Sequence, residues 1–438
     1  MTDEEIYSRF KECNGVTTDS RKCAPGLMFF ALKGERFDGN EFVHGALEQG
    51  CWYAVMDNPE FYESTDSRMI LVDNALSTLQ QVAALHRRKL GTTVIGITGT
   101  NGKTTTKELT NAVLSSTYNV LCTQGNLNNS IGVPLTVLGL EAEHEYAIVE
   151  MGASHPGDIK ELVEVSQPDF GLITNVGKAH LLGFGSFEGV KRTKGELYDW
   201  LRDHNGTAFV NRDNEHLQQM CTGLPLVEYG KPGQEGLLVE GEVLECNPFV
   251  KFRWRSGKGD WHIVQTNLIG AYNVDNALAA ITIGLKFGVS QDKASAAVAE
   301  YKPQNNRSQL TETGRNHLVV DAYNANPTSM AAALENFYMI QAQDKMLILG
   351  DMRELGEASE AEHKKIVMEL RNYGFTDVWL VGSEFAKAAQ GSGFRLFPDV
   401  EAVKEALKSK PVNGKTILIK GSNSVRLNTL GSDPSVLL

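Results

Sequence analysis

No apolar run in the sequence approaches the ~20 residues that a membrane-spanning helix requires, so no membrane insertion is expected. The opening MTDEEIYSRF lacks the apolar core of a secretory signal, and a cytoplasmic protein is the expectation. Cysteine is sparse. The six, at positions 13, 23, 51, 122, 221 and 246, form no C-x-x-C pair, which argues for reduced packing thiols rather than a disulfide framework or a zinc site. Positive charge is also short: 42 Lys and Arg stand against 54 Asp and Glu. A net charge of −12 is the wrong sign for a general nucleic-acid binder, so no nucleic acid is expected as a partner. It leaves room for a local basic pocket around an anionic small molecule. There is no repeat of fixed period and no low-complexity segment.

A chain of 438 residues is too long for one ordinary core, and three textures divide it. Residues 1–88 read as a small α/β unit. GLMFFALKG and CWYAVMD are short apolar runs bounded by Gly and Asp, and STLQQVAALHRRKL has helical spacing with Leu79, Val82, Ala83 and His86 on one face. Residues 89–307 alternate strands (TTVIGIT, NVLCT, YAIVEMG, FGLITNVG, TAFVN) with helical patterns, which predicts a mostly parallel sheet covered on both faces. From Leu224 to Gly270 the rhythm changes to short alternating pieces that read as a smaller antiparallel sheet, followed by helices from about Asn273 and Gln291. Residues 308–438 alternate again (HLVVDA, KMLILGD, DVWLVGS, TILIKGS) as a second doubly wound, Rossmann-like unit.

The stretch GITGTNGKTTTKEL, Gly96 to Leu109, sits where a strand meets a helix. The strict G-x-x-x-x-G-K-[ST] pattern fails by one position, because Ile97 stands where its first Gly belongs. The end of the motif survives. Gly99 and Gly102 permit a backbone path whose N–H groups, from Thr100 and Asn101 through Thr104 and Thr105, can face phosphate oxygens. The new helix adds the positive end of its dipole. Lys103 offers a point charge to the outer phosphates and Thr104 a hydroxyl to Mg²⁺. A ligand-free Gly-rich turn has no need of that lysine or of the threonines after it. A guanine-reading NKxD string is absent, which favours ATP.

The hexamer GTNGKT resembles the Mur ligase family, which includes the folylpolyglutamate synthases. Further stretches are similar to that family, in order along all three textures: TTDSRKCAPGLMFFALKGERFDGNEFVHGALEQG, GNLNNSIGVPLTVL, EMGASHPGDI, TNVGKAHLLGFGS, KGELY, NNRSQL, DAYNANPTSM and LGDMRELGEAS. The resemblance implies three domains: an N-terminal UDP-sugar domain, a central P-loop ATPase and a C-terminal Rossmann-like domain that receives the incoming dipeptide. It implies ATP and Mg²⁺ as cofactors and a monomer. EMGASHPGDI and DAYNANPTSM point to the member that joins D-alanyl-D-alanine to UDP-N-acetylmuramoyl-tripeptide. Another amino-acid-adding ligase or a folylpolyglutamate synthase is the alternative within the family, and a nucleotide-driven binding protein the alternative outside it.

The same resemblance implies roles for particular residues. Glu150, at the carboxyl end of YAIVE, becomes a Mg²⁺ ligand; without a metal it is a solvated strand-end acid. His180 becomes a second Mg²⁺ ligand, where chemistry alone makes it a loop histidine. Lys194 in VKRTKGELY becomes the lysine that takes up CO₂ and turns into an anionic metal ligand, a reaction that needs a neutral amine; Lys191 is the competing candidate. Asn126, Asn128 and Asn129 would meet the sugar-linked peptide or form a turn. Asn273 would contact adenine or cap a helix. Arg307 would meet ATP phosphate at the hinge. Asp321 would reach the ribose, alone where similar members often carry two acids. Tyr323 and Asn326 would complete the nucleotide side. Ser20 and Arg21 resemble the UDP-binding stretch, where Arg can pair bidentately with a diphosphate.

Overall fold

The computed structural model describes residues 1–35, 37–303, 309–432 and 437, arranged around three sheets. The first sheet has four parallel strands in sequence order, Gly15–Thr17, Leu27–Phe30, Tyr53–Met56 and Met69–Leu71. The helix Ala75–Leu90 then leads to the second sheet. Asn74 caps its start by accepting the Ser77 N–H at 2.8 Å, and Gly91 ends it in a left-handed turn after three basic residues. Its predicted face is buried: Leu79, Val82 and Ala83 have no exposure and His86 has 1%.

The second sheet has nine strands. Parallel pairing joins Thr93–Thr98, Tyr146–Glu150, Val120–Cys122, Phe170–Ile173, Thr207–Asn211, Leu226–Gly230 and the start of Val239–Cys246. The antiparallel strands Val239–Cys246, Phe249–Ser256 and His262–Ile269 extend its edge. They continue the same sheet because Val239–Cys246 pairs on both sides. Only Leu226–Gly230, expected to be antiparallel with them, runs parallel, since the short helix Glu215–Met220 carries the chain back across the sheet before it. Along Phe249–Ser256, Val250, Phe252 and Trp254 point inward and pack with helix Asn273–Lys286. The third sheet has six strands. Gln309–Glu312 is an antiparallel edge, and His317–Asp321, Thr416–Lys420, Lys345–Gly350, Val378–Val381 and Arg395–Phe397 follow in parallel.

The first two sheets share one core. An apolar cluster runs from Ile6, Phe10 and Leu79 to Val133, Leu162 and Tyr198. The third sheet is packed by two clusters of its own, to which the central unit adds few side chains. His86 seals the first junction: its Nδ1 meets the Tyr7 hydroxyl at 3.1 Å and its Nε2 the Leu140 carbonyl at 2.8 Å. Burial pushes its pKa below the ordinary histidine value. The unfolded chain therefore takes up a proton at ~6.5 before the folded one does, and stability falls as pH drops through that value. His86→Ala is expected to cost about 2–3 kcal/mol, by leaving the Leu140 carbonyl without its donor, and to flatten the pH dependence between 7 and 5. Urea unfolding at several pH values measures both.

Candidate active site

A cavity of about 650 Å³ opens at the carboxyl end of the central sheet, between residues 100–106 and residues 321–329 of the third unit. Ligands of open α/β sheets bind at such an edge. The turn from Gly99 to Gly102 forms its floor. Both glycines have positive φ, 146° and 79°. A Cβ at Gly99 would collide with Thr174 Oγ1, and one at Gly102 would come within 2.6 Å of Asn276 Oδ1. Asn175 braces the turn by accepting the Asn101 N–H and donating to its carbonyl, each at 3.0 Å. Helix Lys103–Ser115 starts directly behind Gly102. Lys103 lies over its own turn, its Nζ 2.7 Å from the Gly99 carbonyl and 3.1 Å from that of Thr100.

Thr104 donates its hydroxyl to both Glu150 oxygens, at 2.9 and 3.1 Å, and Asn128 Nδ2 donates to one of them at 2.8 Å. Glu150 is 1% exposed. Burying a carboxylate is costly unless it is paired or bonded, so the Thr104 hydroxyl and the Asn128 amide are what keep it there. Thr104 and Glu150 together present a hydroxyl and a carboxylate, hard oxygen donors of the kind Mg²⁺ takes. Among the described residues no three His, Cys, Asp or Glu side chains cluster as a metal site. That donor set fits a cation shared with nucleotide phosphates rather than one caged by protein.

Lys194 lies on helix Phe187–Asp203, 2% exposed, with its Nζ 5.7 Å from the centre of the Phe184 ring. Burial drives its pKa well below the usual lysine value, and the nearby Lys103 pushes the same way; Asp158 and Glu196 oppose them. Asp158 is occupied by the Ser154 and His155 N–H groups at 2.8 Å, and Glu196 by those of Gly157 and Lys160 at 2.9 and 2.8 Å. Lys191, the competing candidate, pairs instead with Glu188 one helical turn away. His180 lines the cavity at the start of the short helix Leu181–Phe184. Its Nδ1 faces the Glu354 carboxylate of the third unit. Burial lowers its pKa; the Glu354 charge works against that, and Lys103 and Lys194 reinforce it.

The other expected residues divide. Asn128 and Asn129 line the cavity, but Asn129 Oδ1 also accepts the Gly132 N–H at 2.8 Å, at the start of helix Gly132–Val137. Asn126 lies outside the lining, in the turn where its carbonyl accepts the Asn128 N–H. Asn273 lines the cavity and is the first helical residue rather than the cap, which is Tyr272. Its amide binds the Ile269 carbonyl and Asn276, at 2.9 and 2.8 Å. Asp321, Tyr323 and Asn326 line the opposite wall. Asp321 pairs with Lys420 at 2.6 Å, and Asn326 donates to Asn101 Oδ1 at 2.8 Å across the two units. Arg307 lies outside the described residues. Ser20 and Arg21 stand apart from the cavity, with Arg21 exposed and gripped bidentately by Asp19.

Sequence reasoning missed Lys420, Asn276, Glu354 and Asp275. Lys420 carried a signal, as a lone lysine closing the apolar run TILIK at a sheet edge, and Asn276 stands one helical turn from Asn273. Asp275 lines the far end of the cavity with Asn211 and Tyr229. No pattern in the chain announced it.

A phosphate-type turn facing a Rossmann-like unit across one cavity is the arrangement of a nucleotide-binding α/β protein. Three family models match: the Mur ligase family catalytic domain over residues 12–87, the Mur ligase middle domain over 97–284, and the Mur ligase glutamate ligase domain over 306–423. The chain is 34% identical to the UDP-N-acetylmuramoyl-tripeptide–D-alanyl-D-alanine ligase of Bacillus subtilis, covering 96% of this chain and 93% of that one. It is 34% identical to the ligase of the same name from Escherichia coli, covering 94% and 92%. Among solved structures it is similar to MurF from Acinetobacter baumannii, with a TM-score of 0.87, 30% identity and coverage of 99% and 98%. It is also similar to MurF ligase from Thermotoga maritima in complex with ADP, with a TM-score of 0.85, 26% identity and 97% of each chain. The chain belongs to the Mur ligase family.

The cost of Lys194 is measurable without any substrate. In the unfolded chain it binds a proton below ~10.4, whereas the folded chain refuses that proton until pH falls to the lowered value, so stability declines across that window as pH drops. Lys194→Met keeps the volume and removes the amine. It is expected to be more stable than the parent at pH 7, with the difference shrinking towards pH 10. Denaturation curves that run parallel at both pH values would show that the amine is not suppressed.

Proposed function

We propose that this chain is the ATP-dependent ligase that adds D-alanyl-D-alanine to UDP-N-acetylmuramoyl-tripeptide in peptidoglycan precursor synthesis, through an acyl phosphate. The observation that carries this reading is similarity over nearly the whole chain to ligases of that name, with the phosphate turn intact. The division into 1–88, 89–307 and 308–438 assigns the UDP-sugar, the nucleotide and the dipeptide to successive units. Among the described residues no helix is long and apolar enough to cross a membrane.

A carboxylate is a poor electrophile. Phosphorylating the terminal carboxylate of the tripeptide by the γ-phosphoryl of ATP gives a mixed anhydride, which the dipeptide amine attacks to give a tetrahedral adduct that expels phosphate. Negative charge gathers in both steps, so preorganised donors dominate catalysis. The backbone N–H groups of residues 100–105 and the Lys103 ammonium take the phosphates. Thr104 and Glu150 would hold Mg²⁺ beside them, and the ion would supply charge neutralisation when bound. On this reading His180 and Lys194 would serve the acyl side. A neutral Lys194 amine is the form that adds CO₂, yielding a carbamate anion suited to a second Mg²⁺. Asn273, Asp321, Tyr323 and Asn326 line the nucleotide's walls, and Asn128 holds Glu150 towards the tripeptide side.

Release of inorganic phosphate from ATP should require both the UDP-tripeptide and D-alanyl-D-alanine, and should fall to background when either is left out. Sustained turnover without the dipeptide, and no amide by mass spectrometry, would replace this reading with a nucleotide-driven binding protein. Lys103→Ala is expected to lower kcat by about 10²–10³, the typical effect of deleting one charge-stabilising donor. With ¹³C-bicarbonate, a carbamate carbon resonance is expected in the parent and not in Lys194→Arg.

A further inference from the structure

Two non-glycine residues with left-handed backbone face each other across the junction of the second and third units. His180 has a φ of 49° and Glu354 one of 63°. Such conformations are disfavoured for side chains of this size, and they persist where the surroundings impose them. Here the Glu354 carboxylate lies against His180 Nδ1. The main chain supports the contact, with the Leu182 N–H donating to the Glu354 carbonyl at 3.1 Å.

The arm that carries Glu354 is anchored from behind. The Asp351 carboxylate accepts the Glu384 and Phe385 N–H groups at 3.1 and 2.9 Å. Met352 N–H donates to His363 Nε2 at 3.0 Å, and His363 Nδ1 donates to the Ser359 carbonyl at 2.7 Å. Asp351 and His363 have no exposure. The tip of a rigid loop from the third unit therefore reaches a histidine of the second. Lys178 and Glu362 add a second tie at 2.8 Å.

We propose that Glu354 is a positioning residue for the ligase reaction. By holding Nδ1 it fixes the tautomer and ring direction of His180 and leaves Nε2 as the nitrogen available to the cavity, as a carboxylate behind an imidazole does. Because the carboxylate comes from the dipeptide-receiving unit, His180 is set only when that unit is docked. Assembly of the acyl-phosphate site is thus linked to arrival of the acceptor unit. The inference rests on the function proposed above.

The test uses the full chain and the complete reaction with ATP, Mg²⁺, UDP-tripeptide and D-alanyl-D-alanine. Glu354→Gln is expected to lower kcat by about 10–100-fold, the usual effect of losing such an outer partner, with KM for ATP unchanged. Glu354→Gly relaxes the backbone and should be equally slow, which separates the carboxylate's role from strain. The double variant Glu354→Gln/His180→Gln should be no slower than His180→Gln alone. Parent-like kcat in Glu354→Gln, or losses that multiply in the double variant, would overturn the inference while parent turnover leaves the ligase reading standing. A parent that forms no amide would overturn the ligase reading itself.

Discussion

Burying an ammonium group is costly unless it is paired, and two neighbouring lysines, Lys103 and Lys194, meet that constraint differently. Lys103 is at the start of a helix with two carbonyls of its own turn for company, whereas Lys194 is sealed beside the Phe184 ring while Asp158 and Glu196 are occupied with backbone N–H groups. Burial and the neighbouring Lys103 both favour the neutral form of Lys194. Beside them, the buried Glu150 is held by hydrogen bonds from Thr104 and Asn128.

The phosphate turn was legible in the chain because its determinants are local. Two glycines, a lysine and a threonine within six residues set the backbone path of a strand-to-helix turn by short-range geometry. The parallel strands were legible for the same reason, as apolar runs at regular intervals. That Lys194 is buried beside Phe184 while Lys191 pairs with Glu188 was not, because it depends on which helix face turns inward. Asp321 shows the same limit. Its carboxylate is tied to Lys420, a residue 99 positions away, and no spacing rule links the two. Asn129 and Asn273 carry hydrogen bonds to their own helices beside any they offer the cavity. Asn126, Ser20 and Arg21 stand outside the cavity, with Arg21 neutralised by its neighbour Asp19.

The antiparallel edge teaches a related point. Alternation of inward Val250, Phe252 and Trp254 with outward Lys251, Arg253 and Arg255 marked strands correctly. Strand direction in Leu226–Gly230 was set by a six-residue helix before it, a feature of the connection and not of the strand. Burial patterns report which face a strand buries, and connections decide which way it runs.

The two junctions of the molecule are built differently. The first and second units share an uninterrupted apolar interior, with His86 as a polar seal, while the third meets the second through Asn101 with Asn326, Lys178 with Glu362, and Glu354 with His180. The third unit could be exchanged for another by matching a handful of polar partners. Replacing the first would mean recasting the interior of its neighbour, so the two ends of the molecule differ in how freely each can be swapped.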